Sequence, residues 1–117
     1  PMLTVYGLKN CDTCKKALAW LKANNIEHRY HDVRADGLDA GAVASWMEEL
    51  GHAVLVNTRG TTWRGLPDED KADLDSARAI DLIMAQPAIM KRPVFDLGNK
   101  RLVGFKPAQQ EELLAYT

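Results

Sequence analysis

Two cysteines separated by two residues, Cys11-Asp12-Thr13-Cys14, are the groups in this chain best suited to covalent chemistry. The thiolate, not the thiol, is the reactive species, so reactivity depends on the thiol pKa. Lowering that pKa from about 8.5 to about 7 raises the ionised fraction at neutral pH from roughly 3 % to roughly half. The first turn of a helix favours the anion, through unpaired backbone N–H groups and the positive end of the helix dipole. The flanking residues place the pair there: Met2 to Tyr6 is apolar and β-prone, and Lys15 to Asn24 reads as a helix. Cys14, Ala17, Leu18 and Leu21 fall on one stripe of that helix. Cys11 is the expected nucleophile, being nearer the helix end and more exposed. Cys14 is either its resolving partner or a packing group. Asp12 opposes ionisation of a neighbouring thiol; Lys9, Lys15, Arg59 and Arg92 offset it if they fold inward.

The same cysteines open a C-x2-C-x13-H-x2-H pattern with His28 and His31. A zinc finger needs a longer last gap, of about three to five residues. Positions 28 and 31 of a strand also face opposite sides of a sheet, and the helix lies between the cysteines and the histidines. No metal is expected. Two buried cysteines that merely pack are the alternative, disfavoured by their spacing and by the strand-to-helix position.

The elements that must position these groups follow from pattern and punctuation. Glu27 to Asp32 reads as a second strand, with Arg34 to Gly37 as its exit. Ala40 to Leu50 is a helix closed by Gly51, with Val43, Trp46, Met47 and Leu50 inward. A Gly/Thr-rich loop runs from Asn57 to Leu66, Pro67 to Leu74 is a short helix, and Ser76 caps a helix reaching Gln86. In that last helix Ile80, Ile83 and Met84 face inward, and His52 reads as a solvated cap. Pro93 to Leu97 and Lys100 to Phe105 form a hairpin about Gly98-Asn99. Pro107 to Tyr116 closes the chain as a helix with Leu113 and Leu114 inward. The order β-α-β, helices, β-β-α beside C-x-x-C predicts an α/β thioredoxin-like fold with a helical insertion at about 38–86.

Composition bounds the rest. The 117 residues fit a single domain, 1–117, and 15 basic against 16 acidic residues leave a net charge of −1. Such a chain has no global field for nucleic acid or a membrane surface, and no apolar run approaches the ~20 residues of a membrane span. The N-terminus lacks a basic, apolar leader, which predicts a cytoplasmic protein; Pro1 ahead of Met2 is either a processed terminus or a cloning remnant. Two cysteines in a reducing compartment are not expected to be a permanent staple.

Four segments, in order, resemble the arsenate reductase-related family, which includes the arsenate reductases, the Spx regulators and the YffB-type proteins. They are Tyr6-Gly7-Leu8-Lys9-Asn10-Cys11-Asp12-Thr13, Asn57-Thr58-Arg59-Gly60-Thr61-Thr62-Trp63-Arg64, Pro87-Ala88-Ile89-Met90-Lys91-Arg92-Pro93 and Leu102-Val103-Gly104-Phe105-Lys106-Pro107. The second is most similar to the YffB-type members. The resemblance implies a thioredoxin-like fold, Cys11 as nucleophile, Arg59 and Arg92 around a bound oxyanion, and a cis Arg92-Pro93 bond beside the sulfur. Two positions depart from the arsenate reductases. Lys106 stands where they carry a third arginine, and Cys14 where they lack a cysteine; lysine supplies charge without a bidentate fork.

These readings predict a glutathione-dependent thiol–disulfide oxidoreductase, with no bound cofactor. Cys11 and Cys14 carry the exchange, while Arg59, Arg92, Pro93 and Lys106 bind substrate. Glutathione, a glutaredoxin or a protein disulfide is the expected partner, nucleic acid and membrane are not, and a monomer is expected. The alternatives are arsenate reduction with glutathione and glutaredoxin, and an Spx-like redox sensor that binds RNA polymerase.

Overall fold

The structure is a computed structural model and describes residues 2–116; Pro1 and Thr117, the ends of the predicted domain, lie outside it. The chain forms two compact units. The first, the sheet unit, joins the chain up to Asp36 with the chain from Arg92 onward; the second, the helical unit, is Gly37–Lys91.

The sheet unit contains β1 (Leu3–Gly7), α1 (Asp12–Ala23), β2 (His28–Asp32), β3 (Val94–Asp96), β4 (Arg101–Val103) and a closing helix (Pro107–Tyr116). Its sheet order is β2-β1-β3-β4, with β1 parallel to β2 and the other pairs antiparallel. This is the predicted thioredoxin-like arrangement of a βαβ half and a ββα half. Alternation along β1 sends Leu3 and Val5 into the core, where they meet Ala17 and Leu21 of α1, Phe95 of β3 and Leu113 of the closing helix. Burying each large apolar side chain contributes about 1.5–3 kcal/mol. Leu113 is fully buried but Leu114 is 49 % exposed, contrary to expectation. Successive helical residues are turned by about 100°, so only one of the two can face the sheet.

The helical unit contains α2 (Ala40–Leu50), α3 (His52–Leu55), α4 (Thr61–Arg64), α5 (Asp68–Lys71) and α6 (Ser76–Ala85); the closing helix is thus α7. Val43, Trp46 and Met47 of α2 and Ala79 and Ile83 of α6 are buried in its interior, with Ile80, Met84 and Leu50 half-buried at its margin. The Val56–Met90 bridge and the bonds Asn57 N–H to Ile89 O (2.8 Å) and Lys91 N–H to Leu55 O (2.7 Å) tie its two ends. That tie carries the unit to Lys91, past the expected limit near residue 86.

Three local expectations are corrected. The cap of α6 is Asp75, whose Oδ1 accepts the Arg78 N–H at 2.8 Å, and Ser76 is the first helical residue. The Asn57–Leu66 stretch is not all loop: Asn57 Oδ1 accepts the Arg59 N–H (3.1 Å), and this side-chain turn leads through Gly60 into α4. His52 is no solvated cap but the half-buried first residue of α3, which starts directly after Gly51 at φ 81°.

Candidate active site

Cys11 is the N-cap of α1. Its extended backbone (φ −111°, ψ 114°) ends the turn from β1, its carbonyl accepts the Lys15 N–H (3.0 Å), and its Sγ accepts the Cys14 N–H at 3.4 Å. The helix begins at Asp12, three residues earlier than the apolar stripe suggests, because the sulfur satisfies an orphan donor as a capping oxygen would. Cys11 is half-buried and Cys14 is buried; both are free thiols.

Burial pushes the Cys11 thiol up, but hydrogen bonding from the Cys14 side chain and N–H, followed by the Arg92 guanidinium, outweighs it and leaves the pKa lowered. Cys14 goes the opposite way. Burial first, then its hydrogen bond to the Cys11 sulfur, pushes it up to about 12. The two neighbouring thiols are therefore shifted in opposite directions, Cys11 toward the anion and Cys14 toward the protonated form. Gly7 makes room for Cys14: a Cβ on Gly7 would stand 2.9 Å from Cys14 Sγ and 3.4 Å from the Tyr30 ring.

Topology delivers Arg92 to this corner. Because β3 runs antiparallel to β1, with Val94 opposite Tyr6, the residues just ahead of β3 lie at the carboxyl end of β1, where α1 also starts. The Arg92-Pro93 bond is cis, as expected, and Pro93 is buried. A cavity of about 340 Å³ opens here, lined by Leu8, Lys9, Asn10, Cys11, Asp32, Arg34, Ala35 and Arg92. It sits at the carboxyl ends of the parallel strands, the usual place for ligands in open α/β sheets. A groove of about 450 Å³ near Met2 and His28, at the other end of β1, is lined by no cysteine.

The structure thus brings Cys11 and Arg92 to one cavity; Cys14 and Pro93 are buried and not part of its lining. Lys106 is exposed and absent from the cavity lining, and Arg59 is an exposed residue of the helical unit. Residues that the sequence reading left unassigned are Asp32 and Arg34. Asp32 Oδ1 accepts the Arg34 and Ala35 N–H groups (2.9 and 2.8 Å), while Oδ2 accepts the Lys9 N–H (3.0 Å) and the Tyr30 hydroxyl (3.2 Å). These donors, the Ala35 N–H foremost, hold the carboxyl below its ordinary pKa. Burial and the neighbouring Asp32 raise Tyr30 to about 12. The signal was an Asp ending a strand before a turn, a residue type that bonds backbone N–H groups just ahead of it.

His28 Nδ1 lies 2.8 Å from Ile26 O, and the His31 ring packs against Tyr6 at a 46° tilt with centroids 4.8 Å apart. Among the described residues, no group of three or more His, Cys, Asp or Glu is placed to hold a metal ion, and no helix is long and apolar enough to cross a membrane.

Comparison with known proteins now bears on this site. The family model named ArsC matches residues 6–113. The chain belongs to the ArsC family. This ArsC-family chain is 44 % identical to the structure of a protein named YffB, with a TM-score of 0.92 over 97 % of this chain and 99 % of that one. An arsenate reductase (ArsC) related protein of Brucella melitensis is 43 % identical, with a TM-score of 0.79 and coverage of 96 % and 93 %. The global transcriptional regulator Spx 2 of Lactococcus lactis is 30 % identical over 118 residues, covering 98 % of this chain and 86 % of that protein. The family expected from the four sequence segments, with its YffB, arsenate reductase-related and Spx branches, is thereby borne out.

Proposed function

We propose that this chain is a glutathione-dependent thiol–disulfide oxidoreductase. The observation that carries the proposal is the Cys11 sulfur, held as an acceptor at the start of α1 beside Arg92 and opening onto a cavity. The Cys11 thiolate attacks one sulfur of a disulfide, forms a mixed disulfide and releases the other half as a thiolate. A glutathione thiolate then attacks the mixed disulfide, regenerating Cys11 as thiolate. The glutathione–substrate mixed disulfide released in that step is attacked by a second glutathione thiolate, which frees the substrate's second thiolate and forms glutathione disulfide, so two glutathione molecules are oxidised for each disulfide reduced. Alternatively Cys14, once it gives up its proton, attacks the Cys11 sulfur, releases the substrate thiolate and leaves a Cys11–Cys14 disulfide that two glutathione molecules then reduce. Arg92 stabilises the thiolate before attack. Arg92 also pairs with a carboxylate of glutathione. A glutaredoxin or a protein disulfide is the partner of this chemistry, and no bound cofactor is required.

The test is steady-state reduction of a small disulfide by glutathione. Cys11→Ser abolishes turnover and Cys14→Ser lowers it in part; full activity in Cys11→Ser overturns the proposal.

Two relatives favour other uses of the same sulfur. The Brucella melitensis relative favours arsenate reduction, in which Cys11 forms a thiol–arsenic adduct; arsenate-dependent glutathione oxidation, compared with Lys106→Arg, decides it. The Spx relative favours a dithiol sensor; a pull-down of RNA polymerase by oxidised and reduced protein decides that reading.

A further inference from the structure

The cavity beside Cys11 is lined by three cationic residues, Lys9, Arg34 and Arg92, and one acidic residue, Asp32. The carboxylate is already committed. Its two oxygens accept four donors: the backbone N–H groups of Lys9, Arg34 and Ala35 and the Tyr30 hydroxyl. Four donors match the lone-pair capacity of an ionised carboxylate, so Asp32 has none left for an ammonium on a ligand. Its work is mechanical, tying the turn between β1 and α1 to the turn that leaves β2. Lys9 and Arg34 give that brace their backbone N–H groups, so their charged ends are not committed to it. Both are exposed, and neither side chain makes an ion pair or hydrogen bond with another described residue. One braced carboxylate thus fixes two unclaimed cations at the mouth of the site that holds the nucleophile.

We infer that Lys9 and Arg34 form a carboxylate-binding subsite that selects thiols and disulfides carrying a carboxylate near their sulfur. The inference rests on the thiol-exchange reading; it adds Arg34 to it and gives Lys9, expected only to offset Asp12, a ligand-binding role. Arginine suits the role because its planar fork pairs two carboxylate oxygens at once, and lysine adds a mobile point charge. A cleft lined by one sign of charge also raises the local concentration of oppositely charged reagents.

Two alkylating reagents separate this subsite from thiolate reactivity. Iodoacetate and iodoacetamide both form a carbon–sulfur bond at Cys11 and expel iodide, and they differ in a carboxylate against a neutral amide. Their rate ratio cancels the thiolate fraction, since both read the same anion. In the protein the iodoacetate-to-iodoacetamide ratio at pH 7 and low salt is expected to be about tenfold higher than in the Lys9→Gln/Arg34→Gln variant. Both substitutions are at exposed positions, and the iodoacetamide rate reports whether the variant keeps its thiolate. A ratio that both proteins share, with iodoacetamide reactivity retained, overturns the subsite. If the double variant does not fold, Arg34→Gln alone is compared in the same way.

Turnover then tells the two proposals apart. With the subsite and the reductase both correct, the variant raises KM for glutathione about tenfold more than KM for 2-mercaptoethanol. An equal effect on the two thiols overturns the subsite. No glutathione turnover in the parent protein overturns the reductase reading, and the alkylation ratio still decides the subsite.

Discussion

The two units of this chain use polar side chains at different ranges. In the helical unit the carboxylate and amide oxygens act locally: Asp39 receives the Ala42 N–H, Asn57 that of Arg59 and Asp75 that of Arg78, each two or three residues on. Each such bond sets where a turn or helix starts. In the sheet unit Asp32 receives the Lys9 N–H from 23 residues away, together with donors from its own turn. The displaced protonation of Cys11, Cys14, Tyr30 and Asp32 gathers in this unit. Local caps mark the boundaries of elements. A long-range brace fixes two loops against each other, which holds the backbone of the residues lining the Cys11 cavity in place.

The sharpest division between the units comes from their interiors. Trp46→Ala empties the largest buried side chain of the helical unit and is expected to cost about 3–5 kcal/mol in urea unfolding. The iodoacetamide rate of Cys11, measured on folded protein, stays at the parent value. A rate that falls in step with stability breaks the comparison, because reactivity would then depend on the helical unit's packing. A smaller effect belongs to the sheet unit alone. Arg92→Gln removes a cation that lowers the Cys11 pKa, so the midpoint of pH-dependent alkylation moves up. The rate at pH 7 falls about threefold to tenfold. The same change at Arg78, which donates to Glu69 O in the helical unit at 2.9 Å, leaves the midpoint where it is. An unmoved midpoint in Arg92→Gln assigns the anion's stability to Cys14 and the helix start alone.

Local signals in the sequence were enough for much of this architecture. The alternation of β1, the stripe of α1, Gly51 at the end of α2 and the limits of α7 each follow from residues within a few positions. Cys11, Cys14, Arg92 and the cis bond to Pro93 came from spacing and from family resemblance. What escaped was set by distance along the chain. Nothing near Asp32 announces that Lys9 will donate to it, and nothing near residue 86 announces that Met90 will bridge Val56. Arg34 therefore read as a plain loop arginine. The smaller misses have local causes. Asp75 and Ser76 both make good caps, and only backbone geometry selects the first. Leu113 and Leu114 are alike in type, and only the helix's rotation against the sheet separates them.

The smallest expected effect tests Cys14 through its proton. Its thiol ionises near 9.0 in an unfolded chain and is pushed up to about 12 in the fold. A group whose folded pKa is raised adds stability that is complete below its unfolded pKa and is lost as pH climbs toward the folded one. The loss therefore begins near pH 9, where the unfolded chain sheds a proton that the folded protein keeps. Cys11, with its lowered pKa, works in the opposite sense: its contribution is present at higher pH and fades as pH falls through its folded pKa. A Cys11→Ser background removes that contribution. Urea unfolding between pH 8.5 and 10.5 should then show stability falling more steeply with pH in Cys11→Ser than in Cys11→Ser/Cys14→Ala. The difference in slope, not in absolute stability, is the readout, because the alanine also leaves space beside Gly7. Tyr30, whose raised pKa depends in part on charge at Cys14, is replaced by Phe in both proteins so that it drops out of the difference. Equal slopes would mean that Cys14 ionises as readily in the fold as outside it, and the assignment of opposite shifts to the two thiols would lose its basis.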